Sequence, residues 1–229
     1  MTSAKEPRSR RERPAKPPLS RQWIIDATIG IMRREGLRKA TMRRVAKELD
    51  TGPASLYVYV RNTAELHAAV IDELLAGVRM PAGGTWQERL ERLVTDYRDI
   101  LAGQPGLARS ALLVRPSGPH LLTLYDRMMG LLVEGGAEPG QAGIGVDLLL
   151  LTATASAAEH AVPEDGDPDA ETDSSAKQRA LADAVRAASA DRAPLLAQHA
   201  EAVLGGTPGE RWTWYLRAQI AGIVALATD

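Results

Sequence analysis

The stretch Thr41-Met42-Arg43-Arg44-Val45-Ala46-Lys47-Glu48-Leu49-Asp50-Thr51-Gly52-Pro53-Ala54-Ser55-Leu56-Tyr57-Val58-Tyr59-Val60-Arg61-Asn62 decides how this chain folds. Thr41 is a good N-cap, and Met42, Val45, Ala46 and Leu49 recur at helical spacing, which predicts a helix over 42–49 with one apolar face. Asp50-Thr51-Gly52 interrupts it. Pro53 then stands at a first-turn position, where its missing N–H does no harm, and opens a short helix over 53–60. Asn62 caps the next helix, with Glu65 in capping-box position and Leu66, Ala69, Val70 and Leu74 continuing the period.

Working outward, Ser20 caps a helix that Gly36 ends, with Leu19 and Ile24 placed as a hydrophobic staple. Ile24, Ala27, Thr28, Ile31 and Met32 form its buried face. A helix, a second helix, a three-residue turn and a short third helix make helix-turn-helix geometry, in which the last helix enters the DNA major groove. The side chains suit that task. Arg43 and Arg44 lie in the first turn of the second helix, beside the Thr41 cap. The third helix presents Ala54, Ser55, Tyr57, Val58 and Tyr59, mostly small or hydrogen-bonding, so its backbone can approach base edges and phosphates. Val58 offers only an apolar contact, such as a thymine methyl. Leu56, Val60, Val45 and Ala46 are core residues by type and period.

Charge supports a polyanion partner. The chain has 229 residues and a formal net charge of −1. Residues 1–64 hold 15 basic and 6 acidic side chains, a net of +9, and the remaining residues carry a net of −10. A basic end joined to an acidic body points to nucleic acid. Residues 1–18 are rich in Arg, Lys, Pro and Ser and are expected to form a disordered basic arm.

Thr41-Met42-Arg43-Arg44-Val45-Ala46 and Leu56-Tyr57-Val58-Tyr59-Val60-Arg61-Asn62, with Ser20 to Gly36 before them, closely resemble the N-terminal domain of TetR-family transcriptional regulators. The resemblance runs from about Ser20 to Leu75. The rest of the chain resembles the family's ligand-binding domain in being all-helical and of suitable length, and its last amphipathic helix looks most like the tetracycline-repressor type. The resemblance implies an N-terminal three-helix DNA-binding domain followed by a helical ligand-binding and dimerisation bundle. It implies DNA contacts from Thr41, Arg43, Arg44, Thr51, Ala54, Ser55, Tyr57, Val58, Tyr59 and Arg61. Two positions depart from the family pattern. Asp50 replaces the usual turn glycine, and Thr63 replaces the lysine that usually follows the asparagine, so one phosphate contact is expected to be weaker.

The expected organisation is all-α: the arm, a DNA-binding domain over 19–66, and a helical domain over 67–229 with an acidic disordered loop over 162–175. Helices are predicted at 86–101, 107–114, 121–133, 143–160, 176–190, 195–204 and 211–227. Small residues on the fourth of these spans, Gly143, Gly145, Ala153, Ala155 and Ala157, and Trp212, Trp214, Ile220 and Ile223 on the last make 143–160 and 211–227 the expected homodimer helices. Trp86, Tyr97, Arg109, Arg115, His120, Tyr125, Met128 and His160 are candidates to line an effector cavity among the helices.

Several classes are excluded or disfavoured. No Cys means no disulfide framework, thiolate nucleophile or Cys-ligated zinc. His67, His120, His160 and His199 lack metal-ligand spacing. No nucleophile–base pair or phosphate loop supports an enzyme, and no cofactor is implied. The apolar run Val146 to Ala158 falls short of the ~20 residues of a spanning helix, and Pro14, Pro17 and Pro18 stand where a signal-peptide core would lie. The expectation is a cytoplasmic, homodimeric, small-molecule-responsive repressor of palindromic double-stranded DNA with no membrane partner; the alternative is a non-specific architectural DNA-binding protein.

Overall fold

The computed structural model describes residues 18–104, 106–114, 116–161 and 174–226. All regular structure among them is helical: α1 (Arg21–Glu35), a 3-10 turn (Leu37–Lys39), α2 (Met42–Glu48), α3 (Pro53–Leu56), α4 (Thr63–Leu75), α5 (Trp86–Ala102), α6 (Leu107–Leu113), α7 (Pro119–Glu134), α8 (Pro139–His160), α9 (Ser174–Arg186), α10 (Pro194–Leu204) and α11 (Pro208–Ala225). The expected basic arm and almost all of the acidic loop lie outside the described residues, as does Arg115. Ser174 and Ser175, expected in that loop, open α9.

Local chemistry accounts for most boundaries. The Ser20, Thr41, Asn62, Thr85 and Thr207 side chains each accept a hydrogen bond from a first-turn N–H. α8 begins four residues before its expected start because Glu138 and Gln141 form a reciprocal capping box, with Pro139 at the first position. Its 22 residues make it long and apolar enough to cross a membrane by length and composition, a correction to the shorter span expected. Yet 44% of its apolar window is buried, against α5, α6, α7 and α11.

Buried apolar side chains form two clusters. A head cluster gathers Ile24 and Ile31 of α1, Met42, Val45 and Ala46 of α2, Leu56 of α3, and Val60 and Leu66. A body cluster runs through α4, α5, α6, α7, α8 and α11. α1 and α4 belong to both. Ile25, Ile29 and Met32 on α1, and Ala69, Val70, Ile71 and Leu75 on α4, face the body, whereas Ile24, Ile31 and Leu66 face the head. The expected boundary at 66/67 therefore falls inside a shared helix.

Three of the small residues of α8 close it onto its own subunit, while Ala155 is exposed. A Cβ on Gly145 would stand 2.6 Å from Ile223 of α11. Gly145, Ala153 and Ala157 are buried. Gln141 donates to the Ile223 and Leu226 carbonyls, satisfying the last turn of α11. Trp212, Ile220 and Ile223 are likewise buried, so these residues pack within the subunit, contrary to the interface role expected of them. α9 and α10 pack on each other, joined by Arg186 and Glu201 at 2.9 Å.

Candidate nucleic-acid interface

α2 and α3 pack against each other and are anchored from beneath by Val45, Leu56 and Val60, each at most 1% exposed. The turn between them explains the glycine usual there. Asp50 sits at φ +47°, in the left-handed region that aspartate tolerates better than most side chains. The Thr51 N–H then reaches back to the Ala46 carbonyl at 2.9 Å, and Thr51 is half-buried.

The third helix is shorter than 53–60. One α-helical turn, Pro53–Leu56, gives way to a turn over 57–59, in which the Tyr59 and Val60 N–H groups both donate to the Leu56 carbonyl, at 2.9 and 3.1 Å. Leu56 and Val60 still reach the core, because a tight turn brings residues four apart together much as a helix does. Ala54 and Ser55 are exposed, Tyr57 is 52% and Val58 80% exposed. Tyr59 is half-buried against the head cluster.

The two arginines of α2 separate. Arg43 is exposed. The Arg44 guanidinium is occupied by carboxylates of its own domain. Its Nε and Nη2 donate to Glu35 at 3.2 and 2.6 Å, and its Nη1 donates to Glu48 at 2.8 Å. Arg34 completes the network through Glu48 at 2.8 Å. The hydrogen bonds from Arg44 hold the Glu35 and Glu48 carboxyls below the usual carboxylate range. Arg44 thus braces the end of α1 against α2. Thr41 caps α2 by accepting from the Arg44 N–H at 3.2 Å and is exposed. At the other end of the motif, Arg61 uses its backbone N–H and Nε on Glu65, at 2.9 and 3.1 Å, while its side chain stays 88% exposed.

Of the expected cavity-lining residues, Tyr97 and Met128 belong to the body cluster, and Trp86 and Tyr125 pack against it. Met128 is fully buried, and Tyr97 is 4% exposed with its hydroxyl 2.9 Å from that of Thr154; burial pushes the Tyr97 phenol up. Trp86 packs over Gly135, where a Cβ would stand 2.5 Å from the indole. Tyr125 donates to the Gly143 carbonyl at 2.7 Å. His120 is half-buried at the start of α7, and Arg109 and His160 are exposed. A cleft of about 290 Å³ between α5 and α11 is lined by Glu88, Glu91, Arg92, Thr95, Asp96, Thr213 and Leu216. Partial burial, with Asp99 nearby, pushes the Asp96 carboxyl up. No sequence signal marked that cleft, because its charged residues look like an ordinary solvated helix face. Among the described residues no three His, Asp or Glu side chains are grouped to hold a metal.

Comparison with known proteins places two family signatures on the chain. The signature of "Bacterial regulatory proteins, tetR family" matches residues 24–70. That of "Tetracyclin repressor-like, C-terminal domain" matches residues 80–225. The crystal structure of SCO7704 from Streptomyces is 44% identical, covers 93% of this chain and 98% of its own, and superposes with a TM-score of 0.78. ActR of Streptomyces coelicolor, crystallised with actinorhodin, is 31% identical, covering 93% of this chain and all of its own, with a TM-score of 0.76. Among curated relatives, the transcriptional repressor DrrR1 of Streptomyces coeruleorubidus is 31% identical over 54% of this chain and 55% of its own length. The class D tetracycline repressor protein of Escherichia coli is 30% identical over 48% and 52%. The chain spans about half the length of the curated relatives it matches.

Proposed function

The chain belongs to the TetR family of bacterial transcriptional regulators, and from that premise we propose that it is a cytoplasmic repressor that binds palindromic operator DNA as a homodimer and is released by a small-molecule effector. The carrying observation is the outward row on the helix-turn-helix: Arg43, Ala54, Ser55, Tyr57 and Val58 exposed above the buried Leu56 and Val60. Thr41 and Arg61 flank it as phosphate-facing groups, with Thr51 and Tyr59 at its margins. The DNA-binding unit comprises residues 19–66, and residues 67–229 form the effector and dimerisation domain.

Dimerisation is supported by faces of α8 and α11 other than the one that Gly145, Ala153 and Ala157 turn into the subunit; Ala155 is exposed on this outer face. Ile144, Leu148 and Leu151, spaced by four and three residues on α8, are 70%, 42% and 63% exposed, and Trp214 on α11 is 67% exposed. Such apolar stripes on neighbouring helices mark an interaction surface. A second copy seated there presents two heads to two half-sites, which a head with so short a reading helix needs. An effector is supported by ActR, which is crystallised with actinorhodin and with (S)-DNPA. Actinorhodin and tetracycline are therefore the first effector probes to try.

Fluorescence anisotropy on a duplex from the chain's own upstream region tests the reading. Affinity is expected to fall steeply with salt, by about 0.9 in log–log slope for each phosphate neutralised. Salt-independent binding, or equal affinity for a scrambled duplex, overturns it, the latter in favour of an architectural role. A bound effector at 100 times its dissociation constant is expected to add about 2.7 kcal/mol of stability in a thermal-shift assay.

A further inference from the structure

One carboxylate is buried at the body cluster with no cation paired to it among the described residues. Asp72, in the middle of α4, is 7% exposed. A buried carboxylate is costly unless hydrogen-bonded donors meet it. Here the donors are backbone amides of another helix: the Leu121 N–H donates to Oδ1 at 2.8 Å and the His120 N–H to Oδ2 at 3.4 Å. Both belong to the first turn of α7.

α7 has no cap of its own. Its N-cap residue is Gly118, which has no side chain, and Pro119 at the first position has no N–H. His120 and Leu121 are the second and third residues, whose amides an N-cap side chain ordinarily takes. A Cβ built on Gly118 would lie 2.2 Å from the Asp72 carboxylate. Gly118 and Asp72 are therefore complementary: the glycine leaves vacant the space that the carboxylate fills from across the helix interface. The negative charge also suits the positive end of the α7 dipole.

The placement gives this split cap a consequence. α4 begins in the head, where Leu66 joins the head cluster, and Asp72 lies where it has crossed into the body. Farther along, Arg127 of α7 donates to the Val78 carbonyl at 3.0 Å, just past the end of α4. We infer that Asp72, paired with Gly118, is a positioning residue that locks α4, and with it the DNA-reading head, onto α7 of the effector domain. It touches no DNA. It fixes the orientation at which the head is held, so the inference rests on the DNA-binding reading above.

Moving the cap without the lock separates the two roles. In Asp72→Ala the first turn of α7 loses its acceptor, and the melting temperature is expected to fall by roughly 3–8 °C. In Asp72→Ala/Gly118→Asp the aspartate caps α7 locally, in the space the mutation clears, and melting is expected to return to within about 2 °C of wild type. Binding of the full chain to its upstream duplex is expected to stay roughly five- to tenfold weaker than wild type, with an unchanged salt slope. Recovery of affinity together with melting temperature overturns the inference, since Asp72 would then be a helix cap only. If the double variant does not recover its melting temperature, Asp72→Asn decides by hydrogen exchange. Faster exchange in 63–75 as well as in the first turn of α7 supports the lock, and unchanged exchange in 63–75 overturns it. A wild-type chain that does not prefer its upstream duplex overturns the DNA reading instead, and the exchange experiment still judges the lock.

Discussion

The head holds its shape with ten buried apolar residues, Ile24 to Leu66, whereas the body buries thirty among the described residues. The head spends its outer surface on exposed, sparsely paired side chains such as Val58 and Arg43; the body ties its helices with buried polar pins such as Tyr97 to Thr154 and Asp72 to Leu121. A small core under a reading surface leaves little reserve, so the head borrows support by sharing α1 and α4 with the body. One truncation therefore has unequal consequences in the two regions. Leu56→Ala and Leu93→Ala both empty fully buried sites. Each is expected to cost about 2–5 kcal/mol. In the head that cost is a large part of what holds α2 and α3 down. Leu56→Ala is expected to abolish duplex binding and release exchange protection in 42–60 while the body's thermal transition moves little. Leu93→Ala is expected to lower that transition directly. If Leu56→Ala lowers the body transition as far as Leu93→Ala does, head and body form one cooperative unit and the contrast fails.

The arginines sharpen the same comparison within the head. Arg43 faces outward, and Arg44 holds α1 to α2 through Glu35 and Glu48. Arg43→Ala is expected to weaken duplex binding by about 1–3 kcal/mol and, if its partner is a phosphate, to reduce the salt slope by about one. Arg44→Ala is expected to leave the salt slope unchanged and to loosen α2 in hydrogen exchange. A lower slope in Arg44→Ala would return that side chain to the DNA surface.

What could be read from the chain beforehand divides along physical lines. Features set within one turn of backbone were legible: the Ser20, Thr41 and Asn62 caps, the Gly36 stop and Pro53 at a first turn. The all-α fold and the head's core followed from helical period. Features that need a partner far along the chain were not. Nothing near Arg44 announces Glu35, nine residues back across a helix boundary, and nothing near Gly118 announces Asp72. The turn at 57–59 escaped because Leu56 and Val60 satisfy helical spacing in either conformation. The start of α8 escaped because Glu138 is not among the residues that usually cap helices. Effector-lining residues are the hardest to read, because cavity walls and solid core draw on the same residue types. Met128 and Tyr97 are apolar-faced helix residues, the same types that fill a solid core, and here they do fill it.

The seam between the regions offers the smallest effect and the finest test. His67 of α4 is half-buried against α6, with Nδ1 2.8 Å from the Ser110 hydroxyl. Burial holds its pKa below the ordinary value of 6.5. The folded chain therefore resists the proton that the unfolded chain accepts. As pH falls through about 6.5, the unfolded state binds more protons than the folded one, and stability falls until the folded imidazole also titrates. Stability from this site is present above that range and is lost below it. In the same window Glu35 and Glu48 stay ionised, because Arg44 holds their carboxyls below the usual range. The head's ion pairs are then constant while the seam responds. Melting temperatures of wild type and His67→Gln, measured from pH 7.5 to 5.5, are expected to diverge at the upper end and converge as pH falls, with wild type losing more. Exchange in 63–75 is expected to rise over the same range in wild type while exchange in 42–48 does not. Parallel melting curves for the two proteins would show that His67 contributes nothing to the seam, and a simultaneous rise in 42–48 would show that head and seam loosen together.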